Sequence, residues 1–382
     1  MYSVLTLNKI AAIGTSRLGD NYSYGEDVAN PDAILVRSAS MHDMEFGDNL
    51  LAIARAGAGT NNIPKDKCTE QGIVVFNTPG ANANAVKELV IAGLLLSSRK
   101  IVEGIDWAKT LKGNGEAVGK MVEKGKSQFV GPELTGKTLG VIGLGAIGIL
   151  VANAAVALGM KVIGYDPFMS VPNALKLNPH IKLMKSNEEV MTNCDYLTIH
   201  VPLTGETKDL VDADMIAKMR DGVRILNYSR DGLVNSAAVL EALKSGKVAK
   251  YVTDFGTDDI LGEENVICMP HLGASTPESE DNCAIMACDQ VKEYLENGNI
   301  INSVNFPAIS LPCTAGTKRV CVMHKNVPEL IKKVLGEISG NVENMLSKSR
   351  GDYAYTILDV LGDVDADKVS AVDGVIRVRV IG

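Results

Sequence analysis

The sequence has no CxxC pair among its seven cysteines, which are scattered along 382 residues. Their odd number is not that of a complete disulfide framework, and their spacing lacks the paired pattern of a zinc site. Reduced thiols in a cytosol-like compartment are the better interpretation. We therefore expect a cytoplasmic protein without a bound metal.

Excess positive charge and an export signal are also missing. The net charge of −8 gives no field that would attract nucleic acid or an anionic membrane. The first residues, MYSVLTLNKI, lack a basic segment followed by an apolar stretch, so no signal peptide is expected. The longest apolar-rich tract, residues 138–165, contains six glycines and Asn153, and it is too interrupted for a membrane span.

What the sequence does contain is short β-branched runs that alternate with longer amphipathic stretches. This rhythm occurs twice and is typical of parallel sheets covered by helices on both faces. One long helix, opened by Pro277, is predicted at residues 277–297; it follows the second set of strands but can return to the first. The strand candidates are DAILVRS, LLAIARAG and GIVVFNTPG in the first set, and KTLGVIG, KVIGYD, YLTIHVPL, VRILNYS, KYVTDF and NVICMPH in the second.

The predicted fold class is α/β, with two Rossmann-like, doubly wound parallel-sheet domains and a small C-terminal α+β domain. We expect a discontinuous substrate-binding domain at residues 1–99 and 281–307, and a dinucleotide-binding domain at 100–280. The segment FPAISLPCTAGTK is rich in Pro, Gly, Ser and Thr and is interpreted as a linker. The tail at 318–382 then forms the third domain.

A glycine-rich segment, GLGAIG at residues 143–148, lies between a predicted strand and a predicted helix. There Gly143 permits the tight turn, Gly145 lets the backbone approach a pyrophosphate, and Gly148 lets helix and strand pack closely. The helix N-terminus faces the phosphates with unpaired N–H groups. The next strand ends in Asp166, whose carboxylate would bind the ribose hydroxyls and repel a 2′-phosphate. The segment therefore predicts NAD as cofactor rather than NADP.

Charged residues follow three of the later strands. They are Arg230, the acidic run of Asp254, Asp258 and Asp259, and His271. Ligands of doubly wound sheets bind outside the carboxyl ends of the strands, so these side chains can converge on one cleft. Hydride transfer from a secondary alcohol needs a base, for which histidine is suited, and a cation for the carboxylate. A carboxylate behind the imidazole would fix its tautomer and raise its basicity.

Three further histidines are interpreted as structural or surface residues: His42, His180 and His200.

Three segments, GPELTGKTLGVIGLGAIG, NYSRDGLVN and NVICMPHLGAST, resemble the D-isomer-specific 2-hydroxyacid dehydrogenases, and the resemblance runs from about residue 10 to 307. It implies an NAD-dependent enzyme whose catalytic Arg–Glu–His trio falls on Arg230 and His271. The glutamate has no direct match, because an ungapped count places Asp259 there and one deletion places Asp258. The resemblance also implies that the cofactor lies near Ala146, Ile147, Val201, Tyr228, Ser229 and Asp254, and that Asp166 binds the ribose.

Two arginines near the ends of first-domain strands bear on the substrate. The segments VRSAS and ARAGAGTNNI resemble the family's substrate loops and assign substrate-binding roles to Arg37, Ser38, Arg55 and Gly57. A phosphorylated acid has two anionic ends, so Arg230 would bind the carboxylate while Arg37 and Arg55 serve the phosphate.

The predicted reaction is thus NAD-dependent oxidation of 3-phospho-D-glycerate to 3-phosphohydroxypyruvate, the first step of serine synthesis. One alternative is another enzyme of the family, acting on glycerate, hydroxypyruvate or D-lactate. A second alternative is a nucleotide-sensing protein that has lost turnover.

The tail resembles an ACT domain, a small regulatory fold that often binds amino acids. The resemblance implies an L-serine effector bound by His324, Asn326 and Asn341. Glu329 departs from it, because glycine usually follows the proline at this position and glutamate adds bulk and negative charge. A structural or oligomerisation module is the alternative, and we expect a homodimer or a higher homo-oligomer.

Overall fold

The computed structural model describes residues 1–382, and they divide into two compact units. The first consists of Met1–Asn82 and Pro277–Gly382, and the second of Ala83–Thr276. None of the helices combines the length and the apolarity that a membrane span requires.

The first unit contains a five-stranded parallel sheet in the order β2-β1-β3-β4-β5. The chain reverses direction across the sheet between β1 and β3, where a doubly wound fold places its ligands. The elements of this part are β1 (Tyr2–Leu7), α1 (Ala12–Thr15), β2 (Tyr22–Gly25), β3 (Ala33–Val36), β4 (Ala52–Arg55), α2 (Lys65–Glu70) and β5 (Val74–Phe76).

The second unit begins with helices that precede its sheet. They are α3 (Ala83–Ser98), α4 (Ile101–Thr110) and α5 (Val118–Gly125). The predicted boundary at residue 99 is therefore displaced. α3 lies in the second unit because its apolar side chains, including Val90 and Leu94, pack in the core around the second sheet.

The second sheet has seven parallel strands in the order β12-β11-β10-β9-β6-β7-β8, so its reversal point lies between β6 and β9. All six strands predicted for this region are present. The elements are β6 (Thr138–Ile142), α6 (Ala146–Ala157), β7 (Lys161–Tyr165), α7 (Val171–Ala174), β8 (Lys182–Leu183), α8 (Asn187–Thr192), β9 (Tyr196–Ile199), α9 (Ala213–Lys218), β10 (Val223–Asn227), α10 (Ser236–Ser245), β11 (Val248–Thr253) and β12 (Val266–Cys268).

A single long helix, α11 (Pro277–Asn297), belongs to the first unit. Its bounds confirm the helix predicted at 277–297. It packs closely on α1, because a Cβ atom on Gly14 would lie 2.5 Å from the backbone of Ala284. Glycine at position 14 is therefore what allows the two helix backbones to approach.

The tail forms a four-stranded antiparallel sheet in the order β14-β15-β13-β16, with two helices on one face. Its chain order is βαββαβ. Most residues of β14 are exposed and leave little apolar pattern, so its sequence alone does not indicate a strand. The elements are β13 (Lys318–Lys325), α12 (Leu330–Gly336), β14 (Asn341–Arg350), β15 (Tyr353–Leu361), α13 (Ala366–Ser370) and β16 (Val375–Ile381).

The tail was predicted as a third domain; part of its sheet packs with the rest of the first unit in one hydrophobic core. A buried ion pair joins Arg319 of β13 to Asp359 of β15, with Nε–Oδ1 at 2.8 Å. The same guanidinium donates to the carbonyls of Asn297, Leu311 and Pro312. The predicted linker is therefore held against the end of α11.

Candidate active site

The glycine-rich loop joins β6 to α6 at the reversal point of the second sheet. Gly143 has a φ of 87°, and a Cβ atom there would lie 2.5 Å from the carbonyl oxygen of His200. A Cβ atom on Gly148 would lie 1.9 Å from the carbonyl oxygen of Gly143. Neither position has room for a side chain, so the two glycines let the turn form and let α6 pack against it.

Gly145, the middle glycine of the loop, has open space beside it, unlike Gly143 and Gly148. No heavy atom lies within 4 Å of a Cβ atom built on Gly145, the residue at the N-cap of α6. No side chain caps the first N–H groups of this 12-residue helix, whose first turn carries Ala146 and Ile147. Open space beside unpaired N–H groups fits a diphosphate, and the helix dipole favours its negative charge.

A fixed carboxylate lies beside this loop at the end of β7. Oδ2 of Asp166 accepts a hydrogen bond from the backbone N–H of Leu144 at 2.9 Å, and Oδ1 accepts one from Phe168 at 2.8 Å. The side chain is partly exposed, and each oxygen keeps a lone pair for a further donor. Asp166 is thus oriented by the loop and can accept hydrogen bonds from ribose hydroxyls.

The other side of the reversal point follows β9. Nε2 of His200 lies 3.0 Å from Oγ1 of Thr198, while its buried Nδ1 has no hydrogen-bond partner. Burial lowers the pKa of His200 to about 4, so the ring is neutral at pH 7. The carbonyl of Val201 accepts a hydrogen bond from the hydroxyl of Ser229 at 2.6 Å, which joins the ends of β9 and β10. His200 was assigned no site role from the sequence, although it directly precedes Val201.

Tyr228 was expected near the cofactor, but its side chain lies in the hydrophobic core of the second unit. The hydroxyl lies against Gly93 of α3, where a Cβ atom would be 2.2 Å away. It also donates to the sulfur of Met269 at 3.8 Å. Burial raises the pKa of Tyr228 above its usual value, so the hydroxyl stays protonated. Its side chain therefore packs β10 against α3.

Arg230 is presented on a short turn after β10. The side chain of Asn227 closes this turn, because its amide donates to the carbonyl of Arg230 at 2.9 Å and its Oδ1 accepts from the N–H of Ser229 at 3.2 Å. The guanidinium is exposed and donates to the carbonyl of Ser229 at 2.6 Å. No carboxylate lies within salt-bridge distance of Arg230. Its remaining donors are available to an anionic ligand.

His271 follows β12 and is exposed. Its ring contacts that of Phe255 edge-on, with centroids 5.0 Å apart. Asp254, the residue before Phe255, is 4% exposed and has an Oδ1 atom without a hydrogen-bond partner. Burial raises the pKa of the Asp254 carboxyl, and positive charge on His271 and Arg230 opposes that rise. The second unit therefore gathers an imidazole, a guanidinium and a buried carboxyl group.

The two other acids of this segment are placed differently. Asp258 and Asp259 are both exposed, and Asp259 accepts a hydrogen bond from the hydroxyl of Thr257. Neither has a hydrogen bond to His271. Asp254, which the sequence assigned only to the cofactor, is the acid whose charge interacts with the imidazole.

The predicted substrate residues of the first unit lie after β3 and at the end of β4. Nε of Arg55 donates to the carbonyl oxygen of Arg37 at 3.1 Å. The Arg55 side chain folds over Gly57, where a Cβ atom would lie 2.0 Å from Nη1, so only glycine fits there. The backbone N–H of Ser38 donates to the side chain of Asn8 at 3.0 Å. Two guanidinium groups are thereby placed on neighbouring strands.

The three predicted effector residues of the tail already have partners. His324 is 2% exposed, with Nδ1 2.8 Å from the carbonyl of Lys325 and Nε2 2.9 Å from the hydroxyl of Thr356. Burial lowers the pKa of His324, which keeps it neutral. The side chain of Asn326 donates to the carbonyl of Gly351 at 3.0 Å. The third, Asn341, donates to the neighbouring Glu343.

Known proteins of similar sequence match most of this chain. Residues 91–273 match the profile described as "D-isomer specific 2-hydroxyacid dehydrogenase, NAD binding domain". A D-3-phosphoglycerate dehydrogenase of Mycobacterium leprae is 34% identical over 97% of this chain and 74% of its own length. One from Methanocaldococcus jannaschii is 33% identical over 88% of this chain and 63% of its own length.

Two solved structures share the fold. An NAD⁺-bound 3-phosphoglycerate dehydrogenase of Entamoeba histolytica is 25% identical, with a TM-score of 0.59 over 81% of this chain and 99% of that one. A glyoxylate reductase from "Paecilomyes thermophila" is 24% identical, with a TM-score of 0.65 over 79% of this chain and 98% of that one. The second likeness concerns the fold alone.

Proposed function

Because the chain belongs to the D-isomer-specific 2-hydroxyacid dehydrogenases, which are NAD-dependent enzymes, we propose that it oxidises 3-phospho-D-glycerate to 3-phosphohydroxypyruvate. This reaction is the first step of serine biosynthesis. The observation that carries the choice of substrate is the pair of guanidinium groups of Arg37 and Arg55 on neighbouring strands. A second anionic group on the substrate would explain why two further guanidinium groups are present. Relatives named for this reaction match most of the chain.

NAD, when bound, supplies the hydride acceptor for the substrate carbon that carries the hydroxyl. The chain fits this cofactor, since Gly145 leaves room beside the unpaired N–H groups of α6 and Asp166 presents a fixed carboxylate. The same carboxylate would repel the 2′-phosphate of NADP. Cofactor choice is thus made by side chains of the second unit.

Arg230 binds the carboxylate of the substrate in this proposal. Its planar fork can form two parallel hydrogen bonds, and a fixed positive charge beside the reacting carbon stabilises the carbonyl oxygen that develops. The turn closed by Asn227 fixes the backbone from which this side chain extends. Arg230 therefore orients the substrate. In the free protein its guanidinium forms no ion pair with an acidic side chain.

His271 removes the proton of the substrate hydroxyl as the hydride leaves. A neutral imidazole nitrogen can accept this proton and release it afterwards. Protonation of His271 creates a positive charge, which the nearby Asp254 carboxylate stabilises. Asp254 therefore acts on the reaction through the histidine.

Arg37 and Arg55 bind the phosphate group in this proposal. Charge-assisted hydrogen bonds are worth roughly 1.5–3 kcal/mol each, so both arginines together can separate phosphorylated from plain 2-hydroxy acids. L-Serine as an effector and a homo-oligomeric assembly stay predictions, and the tail residues assigned to serine have other partners in this structure.

The test is a panel of 2-hydroxy and 2-oxo acids, with and without phosphate, assayed by NADH absorbance. We expect turnover of 3-phosphoglycerate to exceed that of glycerate and D-lactate. Equal turnover of phosphorylated and plain acids would contradict the substrate but leave the dehydrogenase assignment intact. Absence of turnover with NADH binding retained would favour a nucleotide sensor instead.

A further inference from the structure

Arg37, one of the two arginines proposed to bind the phosphate, already forms an ion pair in this structure. Nη2 of Arg37 lies 2.5 Å from Oε1 of Glu280, which belongs to the first turn of α11. Both groups lie in the first unit, and their side chains are 42% and 44% exposed. The contact is therefore open to solvent and to an incoming ligand.

We propose that Glu280 is a specificity-determining residue whose carboxylate competes with the substrate phosphate for Arg37. In the free protein the carboxylate takes the place of the phosphate on the guanidinium. A substrate phosphate displaces it and leaves Glu280 in solvent. This inference rests on the proposed function, because only a phosphorylated substrate would bring the competing anion.

The energetics allow this exchange. Exposed ion pairs contribute ~0.2–1 kcal/mol, so Glu280 lowers the affinity of Arg37 for another anion by no more than about fivefold. A phosphate dianion carries more charge than a carboxylate and presents three acceptor oxygens, so it can win the competition. A plain hydroxy acid brings nothing that displaces Glu280. The residue thus weakens binding of the phosphorylated substrate without blocking it.

The position of Arg37 makes this competition specific. Its carbonyl oxygen accepts from Nε of Arg55, which fixes the backbone next to the second guanidinium. An anion that reaches both arginines must meet Glu280 at Arg37, whereas Glu278 in the same helical turn is exposed and forms no ion pair. Glu278 is therefore a matched control for the loss of one negative charge.

The experiment compares Glu280→Gln, Glu280→Ala and Glu278→Gln with the unmodified protein. Both substitutions of Glu280 are expected to lower the KM for 3-phosphoglycerate about two- to fivefold, with kcat and the KM for D-glycerate unchanged. Glu278→Gln should leave all these values as they are. An unchanged or raised KM, an equal change with both substrates, or the same gain in Glu278→Gln would overturn the proposal. A thermal melt checks that each variant is folded.

A second measurement separates this inference from the proposed function. Inorganic phosphate is titrated as an inhibitor of D-glycerate oxidation, and its inhibition constant should fall in Glu280→Gln by the same two- to fivefold. If the unmodified enzyme does not prefer phosphorylated substrates, the proposed function fails while this readout still reports on Glu280. If the preference exists and the inhibition constant does not change, the inference about Glu280 fails alone.

Discussion

The glycine-rich loop of the second unit and the tail of the first unit were both predicted to bind a small molecule. In the loop, the N–H groups at the start of α6 have no side-chain cap, and the position of Gly145 faces open space. In the tail, both ring nitrogens of His324 are engaged and the ring is buried. The first region leaves polar groups unpaired, whereas the effector residues predicted in the second already have partners.

This difference shows that the presence of the expected residues in a sequence does not establish that they bind a ligand. A buried polar group that is already hydrogen-bonded within the protein gains little from a ligand, whereas an unpaired or solvent-exposed group can still bind one. The loop, Asp166 and Arg230 therefore keep their place as candidate site residues. The tail residues assigned to serine have partners within the chain, and Arg319 and a shared apolar core hold the tail against α11.

The largest expected effect is on the rate of hydride transfer and tests the candidate site of the second unit. His271→Ala should slow hydride transfer ~10²–10⁴-fold, because the substrate proton loses its acceptor. NADH binding should stay nearly intact, since the glycine loop and Asp166 are unchanged. Stopped-flow NADH absorbance gives the rate and fluorescence titration gives the binding. The control is His180→Ala, which removes an exposed histidine of the same unit.

A loss below tenfold, with chemistry shown to be rate-limiting, would mean that another group takes the proton.

An intermediate effect is expected in the tail, on stability and not on turnover. His324→Ala should lower the free energy of unfolding by ~1–3 kcal/mol, since the hydroxyl of Thr356 loses a buried partner. The folded state holds His324 neutral because burial lowers its pKa. This contribution is complete above the unfolded pKa of ~6.5 and is lost as the pH falls through the lower folded pKa. The gap between variant and parent should therefore narrow at acid pH.

Urea unfolding at several pH values measures this gap, and His42→Ala is the exposed control. If His324→Ala instead changes serine inhibition while stability is unaltered, the tail is a ligand site and the comparison with the loop breaks down.

The smallest expected effect concerns backbone strain at Glu329. This residue has a φ of 61°, in the left-handed region that glycine adopts easily. Glu329→Gly should raise the free energy of unfolding by ~1 kcal/mol or less, because relief of strain is offset in part by the entropy of glycine in the unfolded chain. Chemical denaturation measures the change.

Glu337→Gly is the matched control, since its φ of −92° is ordinary and glycine there should destabilise α12. Equal effects of the two substitutions would show that Glu329 is not strained.

Local sequence patterns were sufficient to predict a helix or strand where the apolar residues of the pattern are buried. The helix at 277–297 has its predicted bounds, because Pro277 starts it and a long amphipathic pattern continues it. β14 was missed because it is largely exposed and carries almost no alternation. The segment FPAISLPCTAGTK was interpreted as a linker from its composition, and its Phe306 and Leu311 are buried in the core of the first unit.

The acidic group beside His271 shows the same limit within the candidate site. Counting residues left Asp258 and Asp259 as candidates, because spacing along a loop does not show which side chain turns inward. The structure buries Asp254 instead and leaves the other two exposed. Likewise, nothing in the spacing joined Glu280 to Arg37, which lie 243 positions apart.

The sequence alone predicted the fold class correctly, and it proposed the glycine loop, Asp166, Arg230 and His271 as site residues from short motifs at the ends of predicted strands. Tertiary structure decided which acid approaches His271, that Glu280 pairs with Arg37, and that the tail shares a core with the first unit. The physical reason is that burial and pairing are set by contacts between segments distant in the chain. A local pattern specifies the element that carries a residue, but not the neighbours it meets.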